Sequence, residues 1–466
     1  MKQSWTQPPS VAVVGGGLAG LAAGSALASS GFGVTLLERR PYLGGRASSY
    51  EHPGTGEIVD NCQHVLFRVC TNLIEFYDRI GVTDQIRWFD EMTFIEPGGR
   101  TSVMKSSFLP APLHTAPSFF RFSFLNAADK AAVARALVPL TLTDQPDTGQ
   151  SFQHWLDERG QTPAAITRFW RPVLVSALSE ELDLISVSAA AQVVRESMKS
   201  PAARQMGVPV IPLTDLYNAA GKYITEREGK VRLRAAVVGF RADLSHVTLT
   251  VAGREEPFDY VVFALPFDGL ARILPETSAA QPLRNSLARF DTSPITGIHL
   301  WFDREISDLD HAVLLDRTIQ WMFHKSRLQQ RSSNGDGSYV ELVVSSSKEL
   351  VEKSKQEIVD LAVREVREFF PAAREANLVK ATVIKELNAT YSPRPGIDVE
   401  RPRPETIWPR VFLAGDWTAT GWPATMESAV RSGYLAAQSL ARVAGQRDAV
   451  YLVPDLPATG FMRFLG

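Results

Sequence analysis

The stretch VAVVGGGLAGLAAGSALASSGFGVTLLERR, residues 11–40, admits few folds. Val11–Val14 is a short β-branched run of the kind buried inside a parallel sheet. Gly15, Gly17 and Gly20 then spell GxGxxG, an Ala/Leu/Ser helix follows to about Ser30, and a second buried strand, Val34–Leu37, ends at Glu38. In such a unit the first glycine makes the tight turn, the second admits a pyrophosphate against bare backbone, and the third lets helix pack on strand. The helix start at Leu18, Ala19 and Gly20 turns unpaired amides and a positive dipole end toward the phosphates. Glu38, eighteen residues after Gly20 and followed by Arg39, is placed to accept ribose hydroxyls and to repel a 2′-phosphate. A glycine-rich turn by itself is ambiguous; strand, helix, second strand and terminal acid together specify a dinucleotide site. Its first part, Val11–Gly31, is no signal-peptide core, because six glycines interrupt it and Lys2 is its only basic flank.

At 466 residues the chain exceeds what one core usually supports, so two joined domains are expected. A net charge of -2 argues against nucleic-acid binding, and no apolar run reaches membrane-spanning length. Two cysteines give no disulfide framework and point to a reducing, cytoplasmic setting. The eight histidines lack metal-ligand spacing, and no metal is expected.

Three later stretches return to the nucleotide. ERRPYLGGR places Gly44, Gly45 and Arg46 just beyond Glu38, two positions of close backbone approach and a guanidinium able to clamp a pyrophosphate. RVFLAGDWT reads as a strand, Val411–Ala414, ending in Gly415 and Asp416, whose carboxylate suits ribityl hydroxyls or waters on the pyrophosphate. GWPATMESAV turns through Pro423 and Ala424 into a helix near Thr425 and Met426, whose N-terminus suits the anionic edge of a reduced flavin. Val231–Phe240 and Tyr260–Leu265 read as further strands. The run from GxGxxG through an acidic residue to GGR resembles the flavin-containing amine oxidase and phytoene desaturase superfamily. That resemblance implies FAD, with the backbone of Val237 against adenine. It also implies an α/β fold: a discontinuous Rossmann-like FAD-binding domain from 1–85, 205–270 and 405–445, and a mixed α+β substrate domain from 86–204 and 271–404. Residues 446–466 form a tail.

Within the substrate domain, 86–204 reads as helix-rich, with Thr162 and Pro163 opening a helix that carries an apolar face. ITGIHLWFD and YVELVVSS read as strands, and SKELVEKSKQEIVDLAVREVREFF as one amphipathic helix. FLPAPLHTAPSFFRFSFL, residues 108–125, carries Arg121 as its only fixed charge. It fits a loop buried against the body or a membrane-facing portal for a lipid substrate, with GFMRFLG at the tail as an assisting element.

Asp60, Asn61, Gln63 and His64, with EPGGR, LPAPLH and GDWTATGWPATME, resemble the hydroxysqualene dehydroxylase family of hopanoid synthesis. Cys62 departs from that pattern, where glycine is more usual. The resemblance implies reductive removal of an allylic hydroxyl from hydroxysqualene by reduced FAD to give squalene. It implies a hydrophobic triterpene substrate and an outside reductant, since no second GxGxxG is present. His64 is the first candidate proton donor and Gln63 a cofactor contact; Glu427 is the second donor. The alternatives are a carotenoid or phytoene desaturase of the same superfamily and, more remotely, a lipid-binding escort without redox chemistry.

Overall fold

The computed structural model describes residues 7–329 and 337–464, so the first six residues of the expected cofactor domain and the last two of the tail lie outside the described residues. Five all-parallel strands form the nucleotide-facing sheet, in the order β3-β2-β1-β4-β5. They are β1 (Ser10–Val14), β2 (Gly33–Leu37), β3 (Lys230–Arg232), β4 (Tyr260–Phe263) and β5 (Val411–Leu413). Their near-continuous apolar runs are what a sheet covered on both faces requires. One face carries helix α1 (Leu18–Ser29) beside α4 (Met426–Val443). A three-stranded antiparallel sheet, Val237–Ala242, Val247–Val251 and Arg254–Phe258, packs its apolar residues onto the other. Helices α1 and α4 touch backbone to backbone: a Cβ at Gly433 would lie 2.2 Å from the Ala19 carbonyl oxygen.

The expected single strand Val231–Phe240 is two strands in different sheets. Between them Arg234 adopts a left-handed φ of 55°, and the amide of Ala235 bonds to the carbonyl of Glu38 at 2.8 Å, which turns the chain out of the parallel sheet.

The second large sheet has seven strands, in the order Leu378–Tyr391, Thr292–Phe302, Ser338–Ser345, Trp321–His324, His311–Leu314, Glu91–Ile95 and Thr101–Lys105. The start of the region expected to be helical is therefore β structure; the alternating burial of Thr101–Lys105 is its sequence trace. The helix expected over 347–370 is broken into Lys348–Val351 and Lys355–Phe369, because Ser354 and Glu357 form a capping box that starts the second anew. Thr162 caps its helix as expected, accepting from the Ala165 amide at 3.1 Å. The next turn widens to a π-helix at Ile166–Trp170, just ahead of Pro172, which has no amide to bond back. A small sheet of Leu66–Phe67, Met206–Pro209 and Ile86–Phe89 runs across the boundaries expected at 86 and 205.

Residues 108–125 are partly buried and partly exposed. Phe119, Phe122, Phe124 and Leu125 are buried among helices, whereas Phe108 is 96% exposed and Phe120 63%. No helix among the described residues is long and apolar enough to cross a membrane.

Candidate functional site

At the end of β1 the chain turns through Gly15 (φ 112°), where a Cβ would come 2.4 Å from the Ala264 carbonyl oxygen. A Cβ on Gly20 would meet the Gly15 oxygen at 1.9 Å, whereas one on Gly17 would find open space on all sides but one. That opening lies at the N-terminus of α1, which has no side-chain cap and no acidic residue in its first turn. The amides of Ala19 and Gly20 take no acceptor from the described residues. Buried amides without partners, beside a gap that only glycine leaves open, form an anion cradle.

Glu38 closes the other side. One of its carboxylate oxygens accepts from the Gly16 amide at 2.6 Å and the other from the Arg40 amide at 2.7 Å, so it braces the turn it faces. Arg39 is exposed and stands apart. Val237, half-buried, follows directly on the segment bonded to Glu38. The GGR loop docks on the glycine turn: Gly44 donates its amide to the Gly16 carbonyl at 2.8 Å, and Gly45 (φ 63°) has no room for a Cβ against Gly17.

Arg46 and Asp416, 370 residues apart, form an ion pair at 2.5 Å, and Arg46 also donates to the Ala389 carbonyl at 3.0 Å. Burial opposes the guanidinium charge, but Asp416 outweighs it and the Arg46 pKa lies above its ordinary value. The two residues expected to grip separate parts of the cofactor thus also hold each other. The turn beyond Asp416 is fixed by Arg401, whose guanidinium donates to the carbonyls of Thr418 (2.6 Å) and Trp422 (2.7 Å). Trp417, 1% exposed, donates its indole N–H to the Leu265 carbonyl at 2.9 Å and closes the floor under Gly415. Pro423 and Ala424 lead into Thr425, which caps α4 by accepting from the Ser428 amide at 3.1 Å. The amides of Met426 and Glu427 take no acceptor from the described residues.

The motif Asp60-Asn61-Cys62-Gln63-His64 is latched beside Arg46, whose carbonyl accepts from the Asn61 side chain at 2.7 Å. Behind it, Lys325 reaches Asp60 at 2.6 Å, Gln63 at 2.8 Å and Glu341 at 3.3 Å, all in the dry interior. Neither Lys325 nor Glu341 was evident as part of the site from the sequence. The available signal was one acid inside YVELVVS, a strand buried on both faces, where a charge needs a partner.

Neither candidate proton donor keeps that role. His64 donates its Nδ1–H to the Cys62 carbonyl at 2.8 Å, and burial holds the imidazole pKa below its ordinary value. The lowered pKa favours the neutral ring, with Nδ1–H committed to the Cys62 carbonyl and Nε2 left as an acceptor. Glu427 is fully buried and accepts from the amides of Asn72 (3.2 Å) and Leu73 (2.8 Å) and the Asn72 side chain (3.0 Å). It caps helix α2 (Thr71–Arg79) from outside instead of facing the cofactor space. Cys62 is buried and its thiol pKa is pushed well above the ordinary value by burial, so it is inert.

The family of flavin containing amine oxidoreductases matches residues 18–441, and the chain belongs to it. The chain is 26% identical over 453 residues to the 15-cis-phytoene desaturase of Synechococcus elongatus, covering 92% of this chain and 95% of that one. It is likewise 26% identical over 473 residues to the zeta-carotene desaturase of a Synechocystis strain, covering 92% and 96%. A solved oxidoreductase from Methanosarcina mazei shares the fold, with a TM-score of 0.72 at 16% identity, over 91% of this chain and 98% of that one. The protein is an FAD-dependent oxidoreductase. The residues described fit the cofactor: the unpaired amides of α1 and the glycine gap suit its pyrophosphate, Glu38 its ribose, and the Arg46–Asp416 pair its middle. Bound there, FAD supplies hydride transfer.

Proposed function

We propose that the protein moves a hydride between FAD and a carbon of a long isoprenoid hydrocarbon. The observation that carries this reading is the meeting of Arg46 and Asp416, which brings the N-terminal glycine loop and the C-terminal turn together in a chain whose second core is aromatic and apolar. The carotenoid-type relatives favour a desaturase, in which the substrate loses the hydride. A second reading, reductive loss of the allylic hydroxyl of hydroxysqualene, is favoured by the DNxQH and GDWTATGWPATME motifs. In that direction the hydroxyl takes up a proton from solvent and leaves as water, a hydride replaces it on the allylic carbon, and an outside reductant supplies the two electrons that the hydride carries.

In either direction the chain's own part is to bind and orient. Neutral His64 and inert Cys62 put no competing acid or nucleophile beside the reacting carbon. Anaerobic incubation of the yellow protein with phytoene, and of the reduced protein with hydroxysqualene, followed by lipid extraction, tests the proposal. A desaturated polyene with bleaching of the flavin supports the first reading; squalene supports the second. A colourless protein that yields neither, yet retains lipid, would make it an escort.

A further inference from the structure

The exposed aromatic residues of 108–125 do not stand alone. The C-terminal turn Gly460–Phe464 is strapped onto them: the Phe461 amide donates to the Ala111 carbonyl at 2.8 Å, and the Thr459 amide to the Lys199 carbonyl at 3.0 Å. A Cβ at Gly460 would lie 2.6 Å from the Ala111 nitrogen, so the two backbones are in contact. The two joined segments carry Phe108, Leu113, Phe120, Phe461 and Phe464, all exposed. Neither 105–125 nor 456–464 contains an acidic residue, and exposed Arg121 and Arg463 have no acidic partner among the described residues. Exposed aromatic residues beside the unpaired Arg121 and Arg463 complement an anionic lipid surface.

Nearby lies an uncompensated charge. The loop closes through the Ser107 amide on the His114 carbonyl at 2.7 Å, and Ser106 donates to the carbonyl of Pro201 at 3.2 Å. This seats the loop on the turn Ala202–Arg204, which follows helix α3 (Val187–Met198). His114 is 0% exposed and neither ring nitrogen has a partner. Arg204 is part-buried and has no carboxylate and no hydrogen bond among the described residues. Burial pulls Arg204 down to about 10 and, with Arg204 adding to the effect, His114 to about 4. A fixed cation and a neutral imidazole with one N–H to donate therefore share a place with no anion. Buried groups of this kind are costly unless a counter-charge arrives, and a phosphate satisfies both.

We propose that Arg204 and His114 receive the phosphate of an anionic membrane lipid whose acyl chains lie against Phe108, Phe120, Phe461 and Phe464. This goes beyond the proposed reaction and does not depend on its direction.

Flotation of the FAD-loaded protein with vesicles of phosphatidylcholine, alone or mixed with phosphatidylglycerol, tests it. The wild type is expected to float with the mixed vesicles. Arg204→Met should weaken that binding about five- to tenfold, the worth of one basic group at an anionic surface. Arg204→Lys should recover much of it, while flavin absorbance and melting temperature stay unchanged in both. Phe108→Ser with Phe461→Ser should weaken binding to both vesicle types. If Arg204→Met floats like the wild type, or if Arg121→Met is equally damaging, the site is refuted in favour of diffuse attraction. If inorganic phosphate alone raises the melting temperature through Arg204 and no vesicle binds, the lipid assignment is overturned.

Discussion

Glu341→Gln should make the protein more stable in mild alkali. Lys325, Asp60 and Glu341 are at most 4% exposed, and apart from Lys325 at 3.3 Å neither Glu341 oxygen has a hydrogen-bond partner. One ammonium cannot neutralise two carboxylates, so the cluster carries an excess negative charge unless Glu341 is protonated. Burial raises its pKa from 4.5 to about 7, with Lys325 opposing and Asp60 reinforcing. The other groups facing it add no charge near neutrality: burial lowers His299 to about 3 and raises the Cys62 thiol well above its ordinary value.

Because the folded pKa exceeds the unfolded one, the stability this proton provides is complete below about 4.5 and is lost as pH rises through about 7. The shift corresponds to about 3 kcal/mol, an order-of-magnitude figure, at full ionisation. A glutamine has the shape of the protonated acid and never ionises. Equilibrium denaturation with FAD in excess should give curves that diverge from about pH 4.5 to about pH 7 and stay apart above it, the variant gaining up to about 3 kcal/mol on the wild type. Parallel curves, or a wild type that holds its stability better at the alkaline end, would refute the charge-balance argument.

Gly433→Ala should destabilise the protein by about 1–3 kcal/mol by forcing α1 and α4 apart, and should weaken FAD retention in gel filtration. Glu427→Ala should cost about 1–3 kcal/mol, since it orphans the first amides of α2, with little effect on the flavin spectrum. His64→Gln should retain FAD and show the same pH–rate profile between about pH 6 and about pH 8; a lost acidic or basic limb would reinstate His64 as an acid. Ser354→Ala should lower stability by about 1 kcal/mol through the lost capping box.

The glycine turn, its flanking strands, the GGR loop and the capped helix after Pro423 were legible because each is a local requirement of backbone geometry. Residues such as Gly15 and Thr425 carry that requirement in their own identity. The pairing of Arg46 with Asp416 was not legible as a bond, because sequence shows what a guanidinium can hold but not which carboxylate arrives beside it. His64 and Glu427 were misread for a related reason. A histidine or glutamate near a cofactor motif has the right chemistry, and only burial and the carbonyl of Cys62, or the amides of Asn72 and Leu73, decide whether that chemistry is free. Strands in 91–105 were hidden by their shortness, and the split at Arg234 by the lack of a Gly or Pro at the break.

The order of the parallel sheet bears on how the protein is made. Its outermost strand, β5, comes from residues 411–413, while β1 and β2 are synthesised near the start. A chain emerging from the ribosome therefore carries an unfinished nucleotide pocket, with Arg46 unpaired, until nearly all of it has been translated. Flavin capture is then a report of completed synthesis: a product truncated before Asp416 should emerge colourless however well its first half has folded.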